Sequence, residues 1–304
     1  MRAVALTCLL AAAALAACGG DEATKTSAST SDAGCPNGKV RFGIEPYEAP
    51  AKLTPAYQVL AGALEKKLGC KVELRIVQDY SAEVLAMRNG RLDVAEFGPL
   101  GFVFAYQKAN AQPLVSFGDA NGKLSSYTAG IYVPKDSDIT SIEQLKGRSL
   151  ALSEPGSTSG DAMPRYALKT EAGLDAKKDL KVDYAGGHPE ALLALTKGKV
   201  DAAEINTQQL ATSTEEGAFD ESRFRRIWES EPIPNDPITV AKTLDPAFKK
   251  RVKDALTDLR PADVAKVGAF LDVDPPGPMV AVTLDTYQPL FDLAETLGLT
   301  EKDV

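Results

Sequence analysis

A gapless self-similarity constrains this chain more than any other feature: YSAEVLAMRNGRLDVAEF, from Tyr80 to Phe97, lies over HPEALLALTKGKVDAAEI, from His188 to Ile205. Each copy reads as a helix closed by a glycine suited to a left-handed C-cap, then a basic residue, then a strand of apolar-Asp-small-Ala-Glu-apolar character. The offset is 108 residues, from Gly90 to Gly198. Part of the likeness is the grammar of any βαβ unit. What the alignment adds is position, since Tyr80 and His188 each open their helix. In open parallel sheets, strand ends and helix starts face the ligand crevice. Two related halves would therefore set Tyr80 and His188 opposite each other across a cleft.

The surrounding pattern agrees. From residue 39, VRFGIE, TPAYQVLAGALEKKLG, CKVELRIV, SAEVLAMRNG and LDVAEFG alternate strand and helix, with Val59, Leu60, Ala63, Leu64 and Leu68 expected on one helix face. After YTAGIYVPK the rhythm restarts with SLALSE, a helix from about Asp161 to Ala172, LKVDYAG, HPEALLALTKG and VDAAEIN. That order predicts an α/β chain of parallel sheets with crossover helices in two lobes. The first lobe is expected from residues 39–125 and 238–304, the second from 126–237. WESEPIPNDPITVAKTL reads as a proline-broken segment crossing between them, and the helices DPAFKKRVKDALTDL and TYQPLFDLAETLGL as packing that completes the first lobe. A length of 304 residues with 44% apolar and 25% charged residues suits two compact lobes. The formal charge of -8, with no basic patch of interleaved aromatics, argues against a nucleic-acid partner.

The N-terminal MRAVALTCLLAAAALAAC has a basic start and a short apolar run before small residues, the pattern of a secretory signal rather than a membrane span. Leu15-Ala16-Ala17-Cys18 resembles the bacterial lipobox, which implies that Cys18 is lipidated and anchors the chain to a membrane; a plain signal peptide is the alternative. The small, polar residues 19–38 suit a flexible tether. Cys35 and Cys70 then remain in an oxidising compartment. Each precedes or opens a strand, so a Cys35–Cys70 disulfide is expected if those strands are parallel neighbours, with two free thiols as the alternative.

EPGSTSGDAMPRY, from Glu154 to Tyr166, carries the chemistry. A glycine-flanked turn at a helix start exposes unpaired backbone N–H groups in the positive field of the helix dipole. Ser157, Thr158 and Ser159 add three hydroxyl donors, and Pro164 fits the first turn without losing a hydrogen bond. One hydroxyl suffices for an N-cap, so three in succession point to a cradle for a tetrahedral oxyanion. The single histidine, His188, also stands at a helix start after a glycine turn, in AGGHPEA. Charged, it would give an oxyanion a hydrogen bond of roughly 1.5–3 kcal/mol. One histidine without a ligand cluster gives no metal site, and no cofactor is expected. GSTSG has Thr158 where a G-x-S-x-G elbow has its serine, and no GK[ST] follows a glycine-rich turn, so binding is expected rather than catalysis.

EPGSTSG, DYSAEVLAMRNGRLDVAEFGP, AGGHPEALLALTKGKVDAA and IPNDPI together resemble the phosphate/phosphite/phosphonate-binding proteins of ABC importers over residues 40 to 240. The resemblance implies a two-lobed periplasmic-binding-protein fold of type II, closing on its ligand in the inter-lobe cleft. It implies phosphonate-group contacts at Ser157, Thr158, Ser159 and His188, cleft tyrosines at Tyr80 and Tyr127, and a carboxylate at Asp236. A second carboxylate of the family, which with the first holds the amine of an aminoalkylphosphonate, is replaced here by Gln208, and Phe97 stands near a family tryptophan. Gln208, Phe97 and Glu204 are further candidates. The expected partners are a small phosphorus oxyanion, an ABC permease and, through Cys18, the membrane, with the protein a monomer outside the cytoplasm. A different oxyanion such as phosphate or arsenite, a sensor of the same fold and an extracytoplasmic hydrolase are the alternatives.

Overall fold

The computed structural model describes residues 34–300. The signal and lipidation site expected within residues 1–18, and most of the expected tether, lie outside the described residues.

β1 (Lys39–Ile44) leads through α1 (Pro50–Leu68) to β2 (Lys71–Ile76), and α2 (Tyr80–Arg88) returns the chain to β3 (Val94–Glu96). β1 lies between β2 and β3 and runs parallel to both. α3 (Pro99–Ala109) and β4 (Gln112–Asp119) follow, and the two-residue β5 (Ser126–Tyr127) leads out of this sheet. The plan then repeats. After β6 (Gly130–Pro134), β7 (Ser149–Leu152) passes through α4 (Met163–Thr170) and the short α5 (Ala176–Asp179) to β8 (Lys181–Tyr184), and α6 (His188–Thr196) leads to β9 (Ala202–Glu204). β7 is parallel to β8 and β9 on either side. α7 (Thr207–Glu215) and β10 (Phe224–Glu229) follow. β11 (Ile233–Pro234) pairs antiparallel with β5, so the two crossing segments form a ribbon. β12 (Ile238–Val240) then enters the first sheet between β3 and β4. α8 (Pro246–Thr257), α9 (Pro261–Phe270), β13 (Pro276–Ala281) and α10 (Gln288–Leu297) end the described chain.

The sheets run β13-β4-β12-β3-β1-β2 and β10-β6-β9-β7-β8. Apart from β13 the two orders match, strand for strand and direction for direction. The correspondence reaches single residues. α2 and α6 are both nine residues long, beginning at Tyr80 and His188. Gly90 and Gly198 have φ of 65° and 63°, the left-handed region that glycine enters without steric cost. Asp93 accepts from the Arg41 N–H at the base of its sheet, and Asp201 from the Ser149 N–H, both at 2.8 Å.

Packing of α1 departs from the sequence pattern in one place. Its buried stripe is Leu53, Ala56, Tyr57, Leu60, Ala61, Leu64 and Leu68, whereas Val59 is 36% exposed. Val59 lies about 100° around the helix from Leu60 and so leaves the stripe. α8 and α10 bury Phe248, Val252, Leu256, Leu290 and Leu293 in the same core as the first sheet. The helix expected over Asp161–Ala172 begins earlier, as a π-helical turn at Thr158–Ala162, and α4 ends at Thr170. At the bases of β1 and β2, Cys35 and Cys70 are joined with Cα atoms 5.8 Å apart. Among the described residues no helix is long and apolar enough to cross a membrane.

Candidate ligand-binding site

Ser157, Thr158, Ser159 and His188, from the second half, meet Tyr80, Tyr127 and Asp236 around one cavity of about 20 Å³ between the two sheets. All seven side chains are buried. The cavity lies at the carboxyl ends of β1, β3, β7 and β9, where an open α/β sheet leaves helix starts and strand-end loops unpaired.

Local geometry explains the glycines of GSTSG. Gly156 has φ of 90°, which an L side chain rarely adopts. At Gly160 a β-carbon would stand 1.9 Å from the Ser153 hydroxyl and 2.8 Å from His188 Cε1, so only glycine lets the turn close against the imidazole. Ser157 is an N-cap, its Oγ accepting from the Gly160 N–H at 3.1 Å. It is also more than a cap, because the same oxygen lies 3.2 Å from His188 Nε2. The Thr158 and Ser159 N–H groups fall in the first turn, which has no preceding acceptor of its own. Ser159 Oγ accepts from the Asn206 amide at 2.9 Å. Thr158 Oγ1 accepts from the Leu100 N–H at 2.9 Å, joining the cradle to the start of α3 in the other half.

His188 is fixed from behind. Its Nδ1 lies 2.7 Å from Glu204 Oε1, at the end of β9. Burial pulls the imidazole pKa down, but the charge and hydrogen bond of Glu204 more than offset it, and the net shift is upward. In its protonated form the ring donates from both nitrogens, Nε2 to Ser157 Oγ. That oxygen then accepts twice, which leaves the Ser157 proton free to point into the cavity. Glu204, His188 and Ser157 thus form one hydrogen-bonded chain that ends at the cavity.

The remaining candidates divide. Tyr80 opens α2, whose N-cap Asp79 accepts from the Ala82 N–H at 2.6 Å. Tyr127, on the crossing ribbon, has its phenol pushed well above the ordinary range, first by burial and then by Asp236 and Glu45. Burial raises the Asp236 carboxyl to about 7, although His188 draws it down. Gln208 reaches the cavity wall but gives its amide to Asn235 Oδ1 at 2.6 Å, making it a strut beneath Asp236. Phe97 is fully buried in the core of the first half and does not line the cavity. Glu204 does not line it either and acts through His188.

Sequence reasoning missed Asn206, which caps α7 through its Gln209 N–H contact at 2.7 Å while holding Ser159. It also missed Glu45, Tyr47 and Glu48 after β1, all of them in the cavity wall. Their signal was placement, since each follows the carboxyl end of a strand. Tyr47 hydroxyl meets Tyr57 hydroxyl at 2.9 Å, and Tyr57 donates to the buried Glu96 at 2.5 Å.

Two matched α/β halves joined by crossing strands, with a hydroxyl-lined cavity between them, define the class: a periplasmic binding protein of type II. The chain belongs to the family described as ABC transporter, phosphonate, periplasmic substrate-binding protein, whose model matches residues 42–277. The family is one of substrate-binding proteins and not of enzymes. The chain is 31% identical over 219 residues to the Phosphonates-binding periplasmic protein of Escherichia coli, an alignment covering 71% of this chain and 64% of that protein. It is 27% identical over 246 residues to the Phosphate-import protein PhnD of Mycolicibacterium smegmatis, covering 78% and 75%. Its fold matches that of PhnD1 from Prochlorococcus marinus in complex with methylphosphonate, with a TM-score of 0.76 at 19% identity over 87% of this chain and 100% of that one.

Proposed function

We propose that this chain is the solute-binding component of an ABC importer and captures a small phosphorus oxyanion, a phosphonate, phosphite or phosphate, for delivery to its permease. The observation that carries this reading is the convergence of Ser157, Thr158, Ser159 and His188 with Tyr80, Tyr127 and Asp236 on one buried cavity. The cradle supplies hydroxyl and first-turn N–H donors, His188 supplies positive charge, and the two tyrosines wall in the anion. Each of these hydrogen bonds gains strength where water is excluded. The lobes meet at the β5–β11 ribbon, with 39–125 and 238–304 forming one and 126–237 the other. Lipidation at Cys18 would hold the monomer at the outer face of a membrane beside the permease. The test is calorimetry with methylphosphonate: Thr158→Ala should weaken binding at least ~10-fold, about the worth of one such hydrogen bond. Unchanged affinity in the folded variant would remove the cradle from the site.

A further inference from the structure

The cavity wall opposite the cradle is acidic. Glu45, the first residue beyond β1, is 2% exposed and lines the cavity. A β-carbon at Gly98 would stand 2.5 Å from Glu45 Oε1, so glycine leaves the room that this side chain fills. Its Oε2 has no hydrogen-bond partner. Asp236 faces it from the β11–β12 link, Glu83 from α2 and Glu96 from β3. The phenols of Tyr47, Tyr80 and Tyr127 also lie within its field. Glu48 is satisfied separately, by the Ala49 N–H at 2.7 Å and Lys52 at 3.3 Å. Among the described residues no lysine or arginine lines the cavity, and its one imidazole is paired with Glu204.

An anion seated between this wall and the cradle meets carboxyls with no fixed cation to neutralise them. Resting on the oxyanion reading above, we propose that Glu45 is a specificity-determining residue that selects oxyanions bringing an exchangeable proton. A P–OH donates to the Glu45 carboxylate, or the neutral Glu45 carboxyl donates to a P–O⁻. Both descriptions hold the same single proton between Oε2 and a ligand oxygen. Burial first, then Asp236 and Glu83, pushes the Glu45 carboxyl well above its ordinary range, in keeping with a shared proton. Phosphonates, phosphite and phosphate retain a proton near neutrality, as phosphoesters do. A sulfonate has none, so Glu45 must take one from solvent, at a tenfold loss for each pH unit above its value in the open cleft.

Calorimetry with methylphosphonate and methanesulfonate, on the wild-type chain and Glu45→Gln, tests this. The wild type's preference for methylphosphonate should widen as pH rises from about 6 to about 8. Glu45→Gln, whose amide donates without needing a proton, should narrow that preference at least ~10-fold and flatten the fall in methylphosphonate affinity between about pH 6 and about pH 8. Wild-type heats in two buffers of different ionisation enthalpy should show proton uptake near the upper pH, and that measurement decides alone if Glu45→Gln does not fold. An unchanged preference and pH slope in the folded variant, or no proton uptake by the wild type, overturns the proposal. Failure of the wild type to bind either anion instead sinks the oxyanion reading, which Thr158→Ala probes separately.

Discussion

The charge of His188 depends chiefly on one neighbour. With Glu204 present, the imidazole pKa lies above its ordinary 6.5 despite burial. The stabilisation that the ion pair lends the fold is therefore complete below about 6.5 and fades as pH rises through the higher folded value. The pull of the imidazolium on a bound anion follows the same course. Glu204→Gln keeps a hydrogen-bond acceptor for Nδ1 but removes the charge, so burial is opposed only by the weaker pull of Glu154 and Glu48, and the ring becomes neutral at lower pH. Binding of methylphosphonate should then weaken at least ~10-fold at about pH 7.5, with a smaller loss at about pH 5.5. Equal losses at the two pH values would mean that Glu204 serves geometry and not charge. Because Glu204 does not line the cavity, it is a positioning residue, and the pH profile separates that role from direct contact.

At the scale of elements, much of this architecture was legible because it is written twice. Helix starts at Tyr80 and His188, the left-handed glycines and the paired strands all follow from one alignment at one offset. The crossing segment was legible from its prolines. What escaped was whatever depends on packing between elements. Glu45, Glu83 and Glu96 sit in sequence where charged residues ordinarily face water, and only the fold shows that all three are buried. Phe97 was placed by analogy of position, but its side chain follows the strand's alternation into the core. The Cys35–Cys70 link belongs to this scale, since it ties the bases of β1 and β2 while the cavity lies beyond their far ends, about 20 Å away for six-residue strands. Closing a 35-residue separation should contribute about 3–4 kcal/mol. Reduction, or Cys70→Ser, should lower the melting temperature by several degrees while leaving methylphosphonate affinity within about twofold. A loss of affinity as large as the loss of stability would show that the base of the sheet and the cleft are coupled.

Across the whole molecule the balance between ion-paired surface carboxyls and buried ones sets how stability responds to pH. Glu73 and Asp263 are held down to about 2 by Lys39 and Arg260 respectively, so their contributions exist above the ordinary carboxylate range and are lost only in strong acid. Glu45, Glu83 and Glu96 run the other way. Burial raises each well above its ordinary 4.5, so the folded state holds their protons more tightly than the unfolded chain. Their contribution is complete below about 4.5 and declines as pH climbs towards the raised values. The ligand-free chain should therefore melt highest in mild acid, near pH 5, and lower by about pH 8.5. Glu83 isolates the effect, because it is fully buried within the first half, both of its oxygens lack partners, and it does not line the cavity. Glu83→Gln replaces an ionisable group with a neutral one of the same shape, so it should raise the melting temperature at about pH 8.5 and change it little at about pH 5, where the carboxyl already carries its proton. A variant that shifts the melting temperature equally at both pH values would show that Glu83 does not ionise in this range. The alkaline decline would then have to come from Glu96 in the core and from Glu45 and Asp236 at the cleft; ligand would suppress the part carried at the cleft, whereas a decline rooted in Glu83 or Glu96 persists whether the cleft is filled or empty.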